Sequence, residues 1–131
     1  MNNNKKLIVV MSHSISEDQV TDAKLELGVD TVEQMTGDVA DACKAIDPNA
    51  SFQQIRGLAA DVVGTAFGMD ATHISVMGEP ALVTAAYEFA QHNGMTFIQS
   101  TSERVSQDIP QEDGTIKKIS MFKHVQWRIW E

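Results

Sequence analysis

Two hydroxyls flanking an imidazole, and cations near a strand end, are the side chains here whose types and spacing suit work on a phosphate group. Ser12-His13-Ser14 surrounds an imidazole with serines. The ordinary pKa of that ring, about 6.5, lets it give or take a proton near neutrality. Ser100-Thr101-Ser102 is a second hydroxyl run and leads on to Arg104, whose guanidinium can grip a phosphate through two parallel hydrogen bonds. Gly78-Glu79-Pro80 is a third small, polar segment. Lys123 and His124 lie in a basic stretch, Thr115 to Trp130, that holds Lys117, Lys118, Lys123 and Arg128 and no acid.

Every one of these residues also has a structural use. Serines cap helices, glycine makes turns, and glutamate is favoured at a helix start. Arginine is commonly a surface residue, and a lysine interrupting an apolar strand face guards an edge. His73, within a strand, and His92, near a helix end, read as structural. One histidine beside two serines is not a triad.

The elements that position these groups follow from hydrophobic patterning. Lys6 to Met11 is an apolar run of the kind found in a strand buried on both faces. Ser16-Glu17-Asp18-Gln19 is a capping box with acids in the first turn, and Gly28 ends the helix it opens. A weaker strand over Val29 to Met35 precedes a short helix with Val39, Ala42, Cys43 and Ile46 on one face, broken at Asp47-Pro48-Asn49. A longer helix follows, with Phe52, Ile55, Ala59, Val62 and Ala66 inward. Strands over Thr72 to Met77 and Met95 to Thr101 flank a helix that has Pro80 in its first turn and Gly94 at its end.

Strand and helix alternating in this way predict an α/β, Rossmann-like fold with a mostly parallel sheet and helices on both faces. The tail predicts a C-terminal β-hairpin turning at Asp113-Gly114, with Val125, Trp127 and Ile129 facing one way and His124, Gln126 and Arg128 the other. A single domain over 1–131 is expected, with ligands at the carboxyl ends of the strands. Two of the three polar segments lead into helix starts, whose backbone amides would favour phosphate.

Bulk properties narrow the partners. The net charge of −8 argues against long duplex nucleic acid. It is uneven: five basic and four acidic residues from Arg104 onward, against five and fourteen before it, which suits a small anion better than a polymer. No apolar run approaches the roughly 20 residues of a membrane span, and the polar start Met1 to Lys6, with an apolar sequel too short for a signal-peptide core, is not expected to be a signal peptide. One cysteine, Cys43, excludes a disulfide framework, and a cytoplasmic location is expected. No Gly-x-Gly-x-x-Gly, phosphate-binding loop, His-Glu-x-x-His or nucleophile elbow occurs, so no cofactor and no metal are expected.

Residues 11–29, from Met-Ser-His-Ser-Ile-Ser-Glu-Asp-Gln to Leu-Gly-Val, resemble the opening of the CRISPR-associated Csx-twenty family. Residues 113–128, with Phe-Lys-His-Val-Gln-Trp-Arg, resemble its close, and Gly-Glu-Pro-Ala (78–81) and Ser-Thr-Ser-Glu-Arg-Val (100–105) match segments between. Residues 30–70 do not match. The resemblance implies a fold like the CRISPR-associated Rossmann-fold (CARF) group and a homodimer that binds cyclic oligoadenylate across its two-fold axis. It also implies a metal-independent ring nuclease that cuts the ring, in particular cyclic tetra-adenylate, and switches off type III CRISPR antiviral signalling. On that expectation Ser12, His13, Arg104 and Lys123 are catalytic. Ser12 and Ser14 position phosphates, His13 serves as acid or base, Arg104 neutralises the scissile phosphate, and Lys123 or His124 protonates the leaving oxygen. Gly78 lets the backbone approach the ring, Glu79 holds a base or an arginine, and Thr101 and Ser102 add hydroxyl contacts. The same donors also suit a non-catalytic sensor or sponge for the ring. Other expectations compatible with the residues are an enzyme on a phosphorylated metabolite and an interaction subunit using Trp127 and Trp130 as a partner surface.

Overall fold

The computed structural model describes residues 4–131, so the first three residues of the polar start lie outside the described residues. Five strands and four helices follow in the order β1 (Lys6–Val10), α1 (Glu17–Glu26), β2 (Thr31–Gln34), α2 (Asp38–Lys44), α3 (Phe52–Gly68), β3 (His73–Val76), α4 (Pro80–His92), β4 (Thr96–Pro110) and β5 (Ile116–Ile129). They form one sheet of order β2-β1-β3-β4-β5. β1 pairs parallel with β2 (Leu7↔Val32) and with β3 (Ile8↔Ile74), and β3 pairs parallel with β4 (Ile74↔Phe97). β5 is antiparallel to β4.

The expected continuous burial of β1 is observed: Leu7, Ile8, Val9 and Val10 are at most 1% exposed. Alternation along the strand divides the core in two. Ile8 and Val10 pack with Ala40 of α2, Val62 of α3 and Leu82 of α4, whereas Leu7, Val9 and Met11 pack with Ala23 of α1, Ile98 and Trp127. Helices therefore cover both faces, three on one and one on the other. The capping boxes at Ser16/Gln19 and Ser51/Gln54 both form.

Three expectations change. Phe52 is 62% exposed, because it is the first residue after the Ser51 cap and projects beyond the core. The fourth strand does not end at Thr101. β4 runs unbroken to Pro110, so the fourth strand and the first arm of the hairpin are one strand. Its backbone leaves β3 after Phe97, where a side-chain pair takes over: Ser75 Oγ donates to Gln99 Oε1 (2.7 Å) and Gln99 Nε2 donates to the Val76 carbonyl (2.8 Å). Beyond that point β4 and β5 continue as a solvent-exposed ribbon. Finally, a bulge between Thr101 and Ser102 leaves Val125 as the extra residue on β5, which turns His124 and Trp127 to the same face.

Trp127 is buried, and Trp130 packs edge-on against Tyr87 and close to Phe97, so the tryptophans belong to the core rather than to an exposed patch.

His73 stands at the amino end of β3, the end away from the loop that follows β1, and its Nδ1 lies 2.9 Å from the Thr72 hydroxyl. Burial, aided by the Lys5 charge, pushes its pKa below the usual value. The unfolded chain then binds more protons than the native state as pH falls below about 6.5, so stability drops toward acid. The melting temperature should fall more between about pH 7.5 and about pH 5.5 in the native chain than in His73→Gln; equal falls would remove His73 as the cause.

Candidate functional site

The loop after β1 is the centre of the site. It is held from β2: Gln34 Nε2 donates to the His13 carbonyl (2.8 Å) and Gln34 Oε1 accepts from the Ile15 amide (3.1 Å). Ser12, His13 and Ser14 are all exposed. They divide between two clefts, one on each side of the loop.

The first cleft, about 280 Å³, opens between the carboxyl ends of β1 and β3, where the strand order reverses. Ser12, Gly78, Glu79, Cys43 and Lys44 line it. Gly78 has φ +131°, a conformation that disfavours any side chain. The Glu79 carboxylate accepts from the Ala81 and Leu82 amides (2.9 and 3.1 Å) and so caps α4. That corrects the expectation of helix-end amides free for phosphate: at α4 two are taken by a carboxylate, and at α1 the Ser16 hydroxyl takes the Gln19 amide. Cys43 is buried, and burial pushes its thiol up to about 11, so it stays protonated at neutral pH.

The second cleft, about 240 Å³, gathers His13, Ser14, Gln19, Ser102, Phe122 and His124. Four of the expected residues, His13, Ser14, Ser102 and His124, thus meet here from opposite ends of the chain. His13 Nδ1 lies 3.4 Å from the Ser14 carbonyl, a long and weak contact, and its Nε2 is open. His124 is different. Its side chain is 4% exposed, and both ring nitrogens are engaged: Nδ1 with Ser100 Oγ at 2.6 Å, Nε2 with Asp22 Oδ2 at 2.7 Å. It has no nitrogen left for a leaving oxygen.

The remaining expected residues are placed as follows. Arg104 pairs with Phe122 two rungs beyond Ser102 and His124, on the same face of the ribbon by strand alternation. Lys123 pairs with Glu103 on the opposite face and borders a separate depression beside Asp18 and Asp22. Within one chain, then, Arg104 and Lys123 do not share a cleft with Ser12. The Thr101 hydroxyl donates to the Gln126 carbonyl (3.3 Å) and lines neither cleft.

Asp22 was missed by sequence reasoning, Ser100 was noted only as part of a hydroxyl run, and Gln34 was missed. Their partners lie 102, 24 and 21 residues away, and only the assembled sheet brings them together. Among the described residues no group of three or more His, Cys, Asp or Glu is placed to hold a metal ion, and no helix is long and apolar enough to cross a membrane.

The model of the uncharacterized protein MJ1673 family matches residues 5–128. An uncharacterized protein MJ1673 from Methanocaldococcus jannaschii is 25% identical over 125 residues, covering 94% of this chain and 95% of that protein. No solved structure matches.

Proposed function

We propose that this chain, which belongs to the uncharacterized protein MJ1673 family, is a metal-independent ring nuclease of the Csx-twenty type. It binds cyclic oligoadenylate, with cyclic tetra-adenylate the first candidate, and cuts it, so ending type III CRISPR antiviral signalling in the cytoplasm. The observation that carries this reading is the exposed loop Ser12-His13-Ser14 set between two clefts at the carboxyl end of the sheet. The order β2-β1-β3-β4 with its reversal beside β1 supports a Rossmann-like, CARF-like assignment, in which ligands sit at that reversal.

Each cleft is smaller than the ~300–1,000 Å³ of sites that enclose a drug-sized ligand, so each suits one nucleotide unit. A ring of repeated nucleotides then calls for the same clefts from a second copy, related by a two-fold axis. The exposed ribbon residue Phe122, 77% exposed and beside the second cleft, offers that copy a contact.

Cleavage proceeds by attack of a ribose 2′-hydroxyl on the adjacent phosphorus, with loss of the 5′-oxygen and formation of a 2′,3′-cyclic phosphate. The chain's task is to hold nucleophile and leaving group in line and to place donors around the developing charge. The loop supplies the Ser12 and Ser14 hydroxyls, one to each cleft, and the ribbon supplies the Ser102 hydroxyl and the Arg104 guanidinium. Of the two imidazoles in the second cleft, His13 has the open nitrogen and is the acid for the leaving oxygen.

Incubating the pure protein with cyclic tetra-adenylate in excess EDTA tests this. Linear product ending in a 2′,3′-cyclic phosphate is expected. An intact ring with an unmoved melting temperature refutes the reading, and an intact ring with a raised melting temperature favours the non-catalytic sensor or sponge.

A further inference from the structure

We infer that Asp22, His124 and Ser100 form a proton relay whose terminal group, the Ser100 hydroxyl, takes the proton from the attacking ribose 2′-hydroxyl. This rests on the ring-cleavage reading and names the base which that reading needs.

The relay has a defined direction, fixed by the carboxylate at its inner end, while the cap of α1 orients the amide beside it. Gln19 Oε1 accepts from the Ser16 amide (2.9 Å), so the other half of its side-chain amide, Nε2, faces Ser100 Oγ and donates to it (3.3 Å). A neutral imidazole has one donor and one acceptor. The Asp22 carboxylate can only accept, so Nε2 of His124 carries the proton and donates it to Asp22 Oδ2, at 2.7 Å. Nδ1 then accepts, and Ser100 directs its own proton to it, at 2.6 Å. Hydroxyl, imidazole and carboxylate in that order are the arrangement that activates a hydroxyl, the third group holding the second in its tautomer.

Burial and placement agree with this role. The His124 ring is 4% exposed and the Asp22 side chain 23%, so the imidazole is shielded while the carboxylate keeps some water. Gln19 and His124, which bracket Ser100, both line the cleft that holds His13, Ser14 and Ser102. A purely structural tie between α1 and β5 already exists, because the Trp127 indole donates to the Gln19 carbonyl at 2.9 Å. The ionisable line is not needed for that purpose.

In the step, the substrate 2′-O–H bond breaks and its proton passes to Ser100 Oγ as the Ser100 proton passes to His124 Nδ1. Asp22 stays ionised beside the imidazolium. The 2′-oxygen bonds to phosphorus, the bond from phosphorus to the 5′-oxygen breaks, and that oxygen takes a proton from His13. Solvent then restores both histidines. Ser100 touches substrate; His124 and Asp22 act through it and are positioning residues.

The test follows kcat and Kd for cyclic tetra-adenylate across about pH 5 to about pH 9, with the whole chain in EDTA. Native protein should give a bell, its acid limb set by the base and its alkaline limb by the acid. Ser100→Ala should lower kcat by about 10²-fold, keep Kd within about twofold, and lose the acid limb. Asp22→Asn retains an acceptor for Nε2 and with it the fold, and should lower kcat at least ~10-fold; it decides the matter if Ser100→Ala melts early. Native-rate cleavage by both variants, or a lowered rate with an unaltered bell, overturns the relay and leaves ring cleavage standing. Absence of cleavage by the native protein overturns both.

Discussion

Replacing His13 with alanine should slow ring cleavage by ~10²–10⁴-fold, the usual worth of a positioned proton donor, while leaving the melting temperature where it is. The ring is exposed and its one contact, to the Ser14 carbonyl, is 3.4 Å long, so folding gains little from it. The loop itself is held by Gln34 through the His13 carbonyl and the Ile15 amide. Those bonds involve the backbone and survive the substitution. Affinity for cyclic tetra-adenylate should change little, because the proton moves only in the transition state. The separation of kcat from both stability and Kd is the signature to measure. A native kcat in His13→Ala would remove His13 from the chemistry, and a lower melting temperature would show that the loop depends on the ring itself.

Replacing Trp127 with alanine should destabilise the protein by ~3–5 kcal/mol, the range for deleting a buried aromatic side chain. Trp127 is 6% exposed and fills the smaller core, which has only α1 for a cover. Its indole also ties β5 to the Gln19 carbonyl. In a chain of this size such a loss lowers the melting temperature by on the order of 10–20 °C. Trp127→Phe keeps most of the volume and loses one hydrogen bond, worth about 0.5–1.5 kcal/mol. The order of the two variants in urea denaturation is the check. A loss below about 1 kcal/mol for Trp127→Ala would mean that α1 is held by something else.

The same substitution illustrates what a sequence can and cannot convey. Burial of β1 was legible because four successive apolar residues suit only a strand covered on both faces. The start of α1 was legible because a capping box is local chemistry. The hairpin turn was legible at Gly114, whose φ of +85° few other residues tolerate. Strict alternation failed on β5, since a bulge adds one residue and turns His124 and Trp127 inward together. No residue type at Val125 announces it. The continuity of β4 was hidden by Ser100-Thr101-Ser102, which reads as a strand end but lies just past the point where the strand leaves the parallel sheet.

The candidate site divides in the same way. His13, Ser14, Ser102 and His124 were identified as residue types and do converge on one cleft. Glu79 was identified too, and its carboxylate is spent on capping α4. Asp22 was invisible because it is an ordinary acid on a helix, and Ser100 was visible only as the first hydroxyl of a polar run, with no sign of its partner. Only the packing of α1 against β5 gives them a shared imidazole.

The most direct test of where the ligand binds is an NMR titration of the isotope-labelled protein with cyclic tetra-adenylate, following every backbone amide. The account predicts shifts concentrated at residues 12–16, at 78–79 and at 100–104, with the amino end of β3 around His73 unmoved. Shifts confined to any other surface, or no shifts at saturating ligand, would contradict it.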